Sequence, residues 1–266
     1  MAHILIVDDN LAFVSAIGES LQFRGYTVST AFDGAEALQR ADQNVPDLVL
    51  LDIEMPGMNG LRFCQELRSN PRFYSIPVIF MSVRSDLADK LEAYEVGADD
   101  YLVKPFDMLE LSARLQAVLR RSARQNAADR ERDLQLQVQG DQARQADNEG
   151  KARAAASHNN DRVLEVRGLR LYLDNALVQS EQGEARLTPA EFELLKYAME
   201  HPDQILSSER LLQDVWLYPV GVGDPAVVRW HVKNLRRKIE VEPEKPLRLR
   251  TISHHGYILV SDPASK

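Results

Sequence analysis

The sequence has almost no cysteine, no long apolar run and no overall surplus of positive charge. Cys64 is the single cysteine among 266 residues, which excludes an internal disulfide. It falls in an apolar helical stretch and reads as a packing residue. No apolar run approaches the roughly 18 residues that a membrane span needs. The first ten residues, MAHILIVDDN, lack a basic stretch followed by a small-residue cleavage site. A cytoplasmic protein with no membrane partner is therefore expected. The net charge is −8, which taken alone argues against a nucleic-acid partner.

The distribution of that charge argues the other way. Residues 1–122 carry 11 Lys and Arg against 18 Asp and Glu, whereas residues 162–266 carry 15 against 15. Within the neutral last third, residues 229–238 hold five cationic side chains and no acid. The local field, not the total, governs phosphate binding.

Hydrophobic periodicity divides the chain into three parts. In residues 1–121, the apolar runs His3–Val7, Thr27–Ala31, Leu48–Leu51, Pro77–Met81 and Tyr101–Val103 alternate with helical patterns such as Val14, Ile17, Leu21 and Leu111, Leu115, Val118. Nearly continuous Val/Ile/Leu runs suit strands buried on both faces. Five βα units imply an α/β fold, a doubly wound five-stranded parallel sheet. Residues 122–161 contain only Leu134, Leu136 and Val138 as large apolar residues. They read as a polar linker, flexible or marginally helical. Residues 162–266 read as a separate α+β domain. Leu169–Leu173 and Ala176–Val178 look like short strands. Thr188-Pro189-Ala190-Glu191 is a helix start with an N-cap, a proline at the first helical position and a capping-box glutamate. A second helix is expected from Ser207 or Ser208 to about Trp216-Leu217, and a third from Asp224-Pro225 to about Glu240. The strand-like segments Leu247–Ser253 and Tyr257–Val260 follow. Three helices closed by a hairpin form a winged helix.

Polar residues interrupt the five runs at informative places. Asp8 and Asp9 end the first, Asp52 the third, Ser82 the fourth and Lys104 the fifth. The carboxyl ends of adjacent parallel strands gather at one sheet edge, where ligands bind. Carboxylates brought together there repel one another, and a divalent cation such as Mg2+ relieves that cost. A carboxylate beside such a cation can attack a phosphoryl group, with Lys104 and Ser82 supplying charge and a hydroxyl to its oxygens.

Residues 2–121 resemble a CheY-like receiver domain. The resemblance rests on Val7-Asp8-Asp9-Asn10, on Asp52-Ile53-Glu54-Met55-Pro56-Gly57-Met58-Asn59-Gly60, on Met81-Ser82 and on Tyr101-Leu102-Val103-Lys104-Pro105-Phe106. It implies that Asp52 is the phosphoacceptor, that Asp9, Asp52 and the backbone carbonyl of Glu54 hold Mg2+ with Asp8 acting through water, and that Ser82 and Tyr101 form a switch pair. It also implies a cis Lys104–Pro105 bond. Ser82 stands where threonine is commoner, and Val83 where a smaller residue is usual.

Residues 163–260 resemble the effector domain of the OmpR/PhoB subfamily of two-component response regulators. The matching stretches are Leu187–Leu195, His201-Pro202, Asp214-Val215-Trp216, His231–Ile239, and Thr251-Ile252 with Gly256-Tyr257. Val228, Val232, Leu235 and Ile239 recur at helical spacing and are expected to face the core. The opposite face of that helix then presents Arg229, Trp230, Lys233, Asn234 and Arg237, with His231 beside them, as the DNA-binding set. The minor-groove arginine usual in the wing is replaced by Ser253-His254-His255. The resemblance further implies a homodimer through charge pairs of Lys90 with Glu110, Asp100 with Arg114 and Asp99 with Arg121. The partners it implies are a sensor histidine kinase, double-stranded promoter DNA and RNA polymerase. The chain is expected not to be an enzyme, beyond phosphoryl transfer to its own Asp52 and slow autodephosphorylation. An aspartate-nucleophile phosphohydrolase would carry a second Asp two residues after the nucleophile, where this chain has Glu54.

Overall fold

The computed structural model describes residues 1–123 and 163–261. The expected linker, 122–161, lies almost wholly outside the described residues. In the N-terminal half, β1 (His3–Val7), β2 (Thr27–Ala31), β3 (Leu48–Asp52), β4 (Val78–Ser82) and β5 (Asp100–Val103) form one sheet in the order β2-β1-β3-β4-β5. Every pairing is parallel. Helices α1 (Leu11–Phe23), α2 (Gly34–Gln43), α3 (Gly60–Ser69) and α4 (Leu87–Glu95) lie between the strands, and α5 runs over residues 108–123.

Each residue of β1, β3 and β4 is buried, because helices cover both faces of the sheet. The side chains divide by parity, as a pleated strand requires. Ile4, Ile6, Leu48, Leu50, Ile79 and Met81 pack with Val14, Ile17 and Leu21 of α1 and Leu111, Leu115 and Val118 of α5. Leu5, Val7, Val49, Leu51 and Phe80 pack on the other side with Ala37 and Ala41 of α2 and Phe63, Cys64 and Leu67 of α3. Cys64 is fully buried, and burial pushes its thiol up to about 11. It is the inert packing residue its sequence context suggested.

The C-terminal half opens with a four-stranded antiparallel sheet, β6 (Val163–Val166), β7 (Leu169–Tyr172), β8 (Leu177–Ser180) and β9 (Gly183–Arg186), in that order. Sequence alone suggested only the middle two. Strand β6 turns into β7 through Arg167-Gly168, both at positive φ (48° and 72°), the backbone of a tight two-residue hairpin turn. Strand β9 reads Gly-Glu-Ala-Arg and is largely exposed. An edge strand with no buried face carries no apolar alternation to betray it.

Helices α6 (Pro189–Glu200), α7 (Ser208–Asp214) and α8 (Pro225–Ile239) follow, and β10 (Leu249–Ile252) with β11 (Gly256–Leu259) closes the domain as a hairpin. The cap of α6 forms as expected. The Thr188 hydroxyl accepts from the Glu191 N–H, and the Glu191 carboxylate accepts from the Thr188 N–H. Ser207 caps α7, and Asp224 caps α8 with Pro225 at its first position. Gly256 allows the hairpin to reach α7. A Cβ there would lie 2.1 Å from the Leu206 carbonyl oxygen, and φ is +136°. Val228, Val232, Leu235 and Ile239 of α8 are all buried in the core.

Candidate functional site

The strand ends bring Asp8, Asp52, Ser82 and Lys104 together at the carboxyl edge of the N-terminal sheet. The Lys104 ammonium lies 2.6 Å from Asp8 Oδ2 and 2.7 Å from Asp52 Oδ1. The other oxygen of Asp52 accepts from the Glu54 N–H at 2.9 Å, and Asp8 Oδ1 accepts from the Asn10 N–H at 2.9 Å. Burial raises the Asp52 carboxyl above its ordinary pKa, while Lys104 pulls it back. The Phe13 ring centre lies 4.4 Å from the Lys104 nitrogen. Gly60 sits beneath. A Cβ on it would come within 2.0 Å of the Asp52 carbonyl oxygen, so only glycine lets the start of α3 approach the end of β3 this closely. The Lys104–Pro105 bond is cis, as the resemblance implied.

Two carboxylates already share one cationic group, so their oxygens converge on a point that a small hard cation could take. With the Glu54 backbone carbonyl nearby they make the all-oxygen donor set that suits Mg2+, which keeps several of its waters. Among the described residues no three Asp, Glu, His or Cys side chains converge as a ready-made metal cluster. Asp9 is exposed.

Sequence reasoning missed Arg84. Its N–H donates to Ser82 Oγ at 3.2 Å, and its carbonyl accepts from the Tyr101 hydroxyl at 2.8 Å. Its guanidinium pairs with Glu54 and Asp89 at 2.8 and 3.0 Å. The residue therefore joins the pocket (Ser82), the start of α4 (Asp89) and buried Tyr101. Val83, beside it, is 66% exposed.

On α8, the residues expected to form one free face are divided. Arg229 and Arg237 are exposed, and Lys233 is half-buried with its ammonium 4.5 Å from the Trp230 ring centre. Trp230 is not fully exposed as expected; it packs against the core. His231 and Asn234 are buried at 1% and 8% exposure. Their cover is the N-terminal half. Asn234 Nδ2 donates to the Tyr94 carbonyl of α4 at 2.9 Å, and His231 sits edge-on to Tyr94 and against Trp216. The expectation of an open α8 face thus fails at these positions, because α4 packs onto it.

The Response regulator receiver domain model matches residues 4–116, and the model of the C-terminal domain of transcriptional regulatory proteins matches residues 182–259. The chain is 33% identical over 256 residues to the alkaline phosphatase synthesis transcriptional regulatory protein PhoP of Bacillus subtilis, covering 96% of this chain and 95% of that one. The chain belongs to the OmpR/PhoB family of response regulators. Other relatives include SphR of Synechococcus elongatus, 33% identical over 97% of this chain and 91% of that one, and the regulator RpaA of Synechocystis, 32% identical over 97% and 95%. A solved structure of a RitR mutant shares the fold, with a TM-score of 0.65 over 98% of this chain and 100% of that one at 22% identity. The protein is accordingly a transcriptional regulator of a two-component system, with a receiver and a DNA-binding domain.

The charged residues assigned to the dimer surface of this response regulator are engaged within the single chain. Arg114 reaches Asp100 at 2.9 Å and Glu110 at 2.8 Å. Asp99 takes Arg68 at 3.1 Å and Arg121 at 3.5 Å. Lys90 lies 3.5 Å from Asp224 of the effector domain. Asp99, Asp100, Arg114 and Arg121 are all buried. The effector residues that meet them, Tyr218 and Trp216, could not be found from sequence because neither carries a recognisable motif for that contact. The wing residues Ser253, His254 and His255 are exposed. Among the described residues no helix is long and apolar enough to cross a membrane.

Proposed function

We propose that Asp52 is the phosphoacceptor and that its phosphorylation controls DNA binding by α8. The observation that supports this most directly is the shared contact of Asp8 and Asp52 with Lys104. A sensor histidine kinase presents a phosphohistidine. An oxygen of Asp52 attacks its phosphorus, the P–N bond breaks, and the imidazole leaves. Asp8, Asp9, Asp52 and the Glu54 carbonyl are the groups that would hold Mg2+, which supplies positive charge to the phosphoryl oxygens when bound. Lys104, released from its carboxylate pair, moves to the phosphoryl group, and Ser82 donates its hydroxyl to another oxygen. Water later attacks the phosphorus of the acyl phosphate, the bond between phosphorus and the Asp52 oxygen breaks, and inorganic phosphate leaves, slowly regenerating the carboxylate. Tyr101 follows Ser82 through Arg84.

Two phosphorylated receivers pair through the surface that includes Lys90, Asp99, Asp100, Glu110, Arg114 and Arg121. The paired effectors place α8 in successive major grooves of promoter DNA in the cytoplasm, within reach of RNA polymerase. Arg229, Lys233 and Arg237 anchor phosphates, Asn234 and Trp230 face base edges, and His231 supports them.

The test is intact-mass measurement after incubation with Mg2+ and acetyl phosphate. One phosphate is expected on the wild-type chain, labile to base and hydroxylamine, and none on Asp52→Asn, whose amide is not a competent nucleophile. Equal labelling of the Asn variant would falsify the assignment.

A further inference from the structure

Phe13 is not one of the polar groups of the acidic pocket, yet its ring lies against the Lys104 ammonium. We propose that Phe13 is a positioning residue for Lys104: its ring face keeps the ammonium in place while the carboxylates release it to the incoming phosphoryl group. The inference rests on the reading of Asp52 as the phosphoacceptor.

Three observations support it. The first is the contact itself. The Lys104 nitrogen lies over the Phe13 ring, 4.4 Å from its centre, inside the roughly 6 Å within which a ring quadrupole attracts an ammonium. Asp8 and Asp52 take the same nitrogen at 2.6 and 2.7 Å. An ammonium has three donors. The carboxylates account for two, and the aromatic face is a third contact of the nitrogen. The Lys104 side chain is only 16% exposed, so water screens that attraction little.

The second is that the chain fixes both ends of the contact. Asp8 Oδ1 accepts from the Asn10 N–H at 2.9 Å, and Asn10 Oδ1 accepts from the Phe13 N–H at 3.1 Å. The N-cap of α1 thus ties the backbone of Phe13 to a carboxylate that shares the cation. Phe106 follows Lys104 by two residues, and its ring meets that of Phe13 edge to face, with centres 5.9 Å apart and planes at 80°. Aromatic pairs favour this geometry. Both rings are half-buried against the cluster that includes Val14, Ile17 and Leu111. The Phe13 ring is therefore held from two directions.

The third is what the reaction does to the other contacts. In the resting chain Lys104 occupies Asp52 Oδ1, and the Glu54 N–H occupies the other oxygen. Attack on phosphorus needs a free oxygen, so the ammonium has to leave Asp52 without leaving the pocket. The Phe13 ring is the contact that the reaction does not consume. Without it the flexible four-carbon stem of Lys104 regains its freedom, and the ammonium has to be positioned anew for each phosphoryl transfer.

The experiment compares rings of nearly equal size and unequal charge distribution. Phe13 is replaced in the full chain by mono-, di- and trifluorinated phenylalanine, because fluorine withdraws electrons from the face and weakens its hold on a cation. Phe13→Leu removes the face altogether. Intact-mass measurement follows phosphate uptake from acetyl phosphate with Mg2+, in which the Asp52 oxygen attacks phosphorus, the bond to the acetyl oxygen breaks and acetate leaves. The rate is expected to fall stepwise along the series, to about one fifth with three fluorines, at unchanged melting temperature. The Lys104 ammonium resonance, assigned by its loss in Lys104→Ala, is expected upfield in the wild type relative to Phe13→Leu, since a ring current shields what lies over its face. Equal rates along the fluorine series would make Phe13 a packing residue and overturn the proposal. A stepwise fall without the upfield displacement overturns it too, because the ring would then act on something other than Lys104. If the resonance is displaced but neither wild type nor variants take phosphate, the reading of Asp52 falls, and the positioning role with it.

Discussion

The acidic pocket and the interface between α8 and the receiver are both polar, both largely buried, and built on opposite principles. In the pocket the described groups are paired: Lys104 bridges Asp8 and Asp52, and backbone N–H groups take the remaining carboxylate oxygens. At the interface, a guanidinium nitrogen, an indole nitrogen and an amide oxygen have no protein partner. The pocket is held in one geometry, as phosphoryl chemistry requires. At the interface those unpaired atoms each cost stability.

The sharpest way to break this comparison is to remove a fully paired carboxylate next to the interface. Asp99 has no exposed surface. It accepts from the Val78 N–H at 3.0 Å, from Arg68 at 3.1 Å and from Arg121 at 3.5 Å. Asp99→Ala leaves two guanidinium groups facing a void, and truncating one member of a buried charge cluster costs about 3–5 kcal/mol. Urea denaturation is expected to show a loss of that size. A loss below about 1 kcal/mol would mean that Arg121 finds another acceptor and that the cluster is not the rigid base of the interface.

The next effect is pH-dependent and belongs to His231. Burial, reinforced by the Arg121 and Lys238 charges and offset in part by the Asp99 backbone, pushes this imidazole down to about 3 from an ordinary 6.5. The folded chain therefore binds it as the neutral ring. Its contribution is complete above pH 6.5 and declines as pH falls from there toward 3, by about 1.4 kcal/mol for each unit well below 6.5. Melting temperatures of wild type and His231→Phe between pH 7.5 and 5.5 are expected to separate, with wild type falling faster on acidification. Parallel curves would show that His231 reaches water without leaving its site.

The two regions also differ in how far the sequence disclosed them. The receiver's strands and the pocket residues Asp8, Asp52, Ser82 and Lys104 could be read from the chain, because β1, β3 and β4 are buried along their whole length and almost wholly apolar, and a polar residue at such a strand's end is conspicuous. The helices of the effector domain were legible through their caps, Thr188, Ser207 and Asp224. Strand β9 was not, having no buried face. The closed interface was not either. Asn234 is a polar residue on the side of α8 away from its own core, and nothing in its spacing distinguishes a face waiting for DNA from one already covered by Tyr94. Arg84 escaped notice for a related reason, since its bonds to Ser82 and Tyr101 are made largely by its backbone, which carries no residue signature.

The smallest expected effect concerns Arg237, and its contrast with Asn234 sharpens the distinction between covering and reading. Under the DNA contact proposed for α8, Asn234 serves twice. It bonds Tyr94 when closed, and its donor and acceptor suit adenine when open. Asn234→Ala therefore loosens closure while removing about 1–3 kcal/mol of discrimination on a proper site. On random DNA only the loosening remains, so binding there is expected to strengthen slightly. Arg237 has no such conflict. Its pairing with Glu95 is between side chains 49% and 43% exposed, and such a pair contributes little. Arg237→Ala is then expected to weaken specific and random binding alike and to lower the salt dependence by about one counterion. Titrations of both variants at several salt concentrations make the comparison. Should Arg237→Ala instead strengthen random binding as Asn234→Ala does, the Glu95 contact would be part of what holds the helix closed, and the rim of the interface would matter as much as its centre.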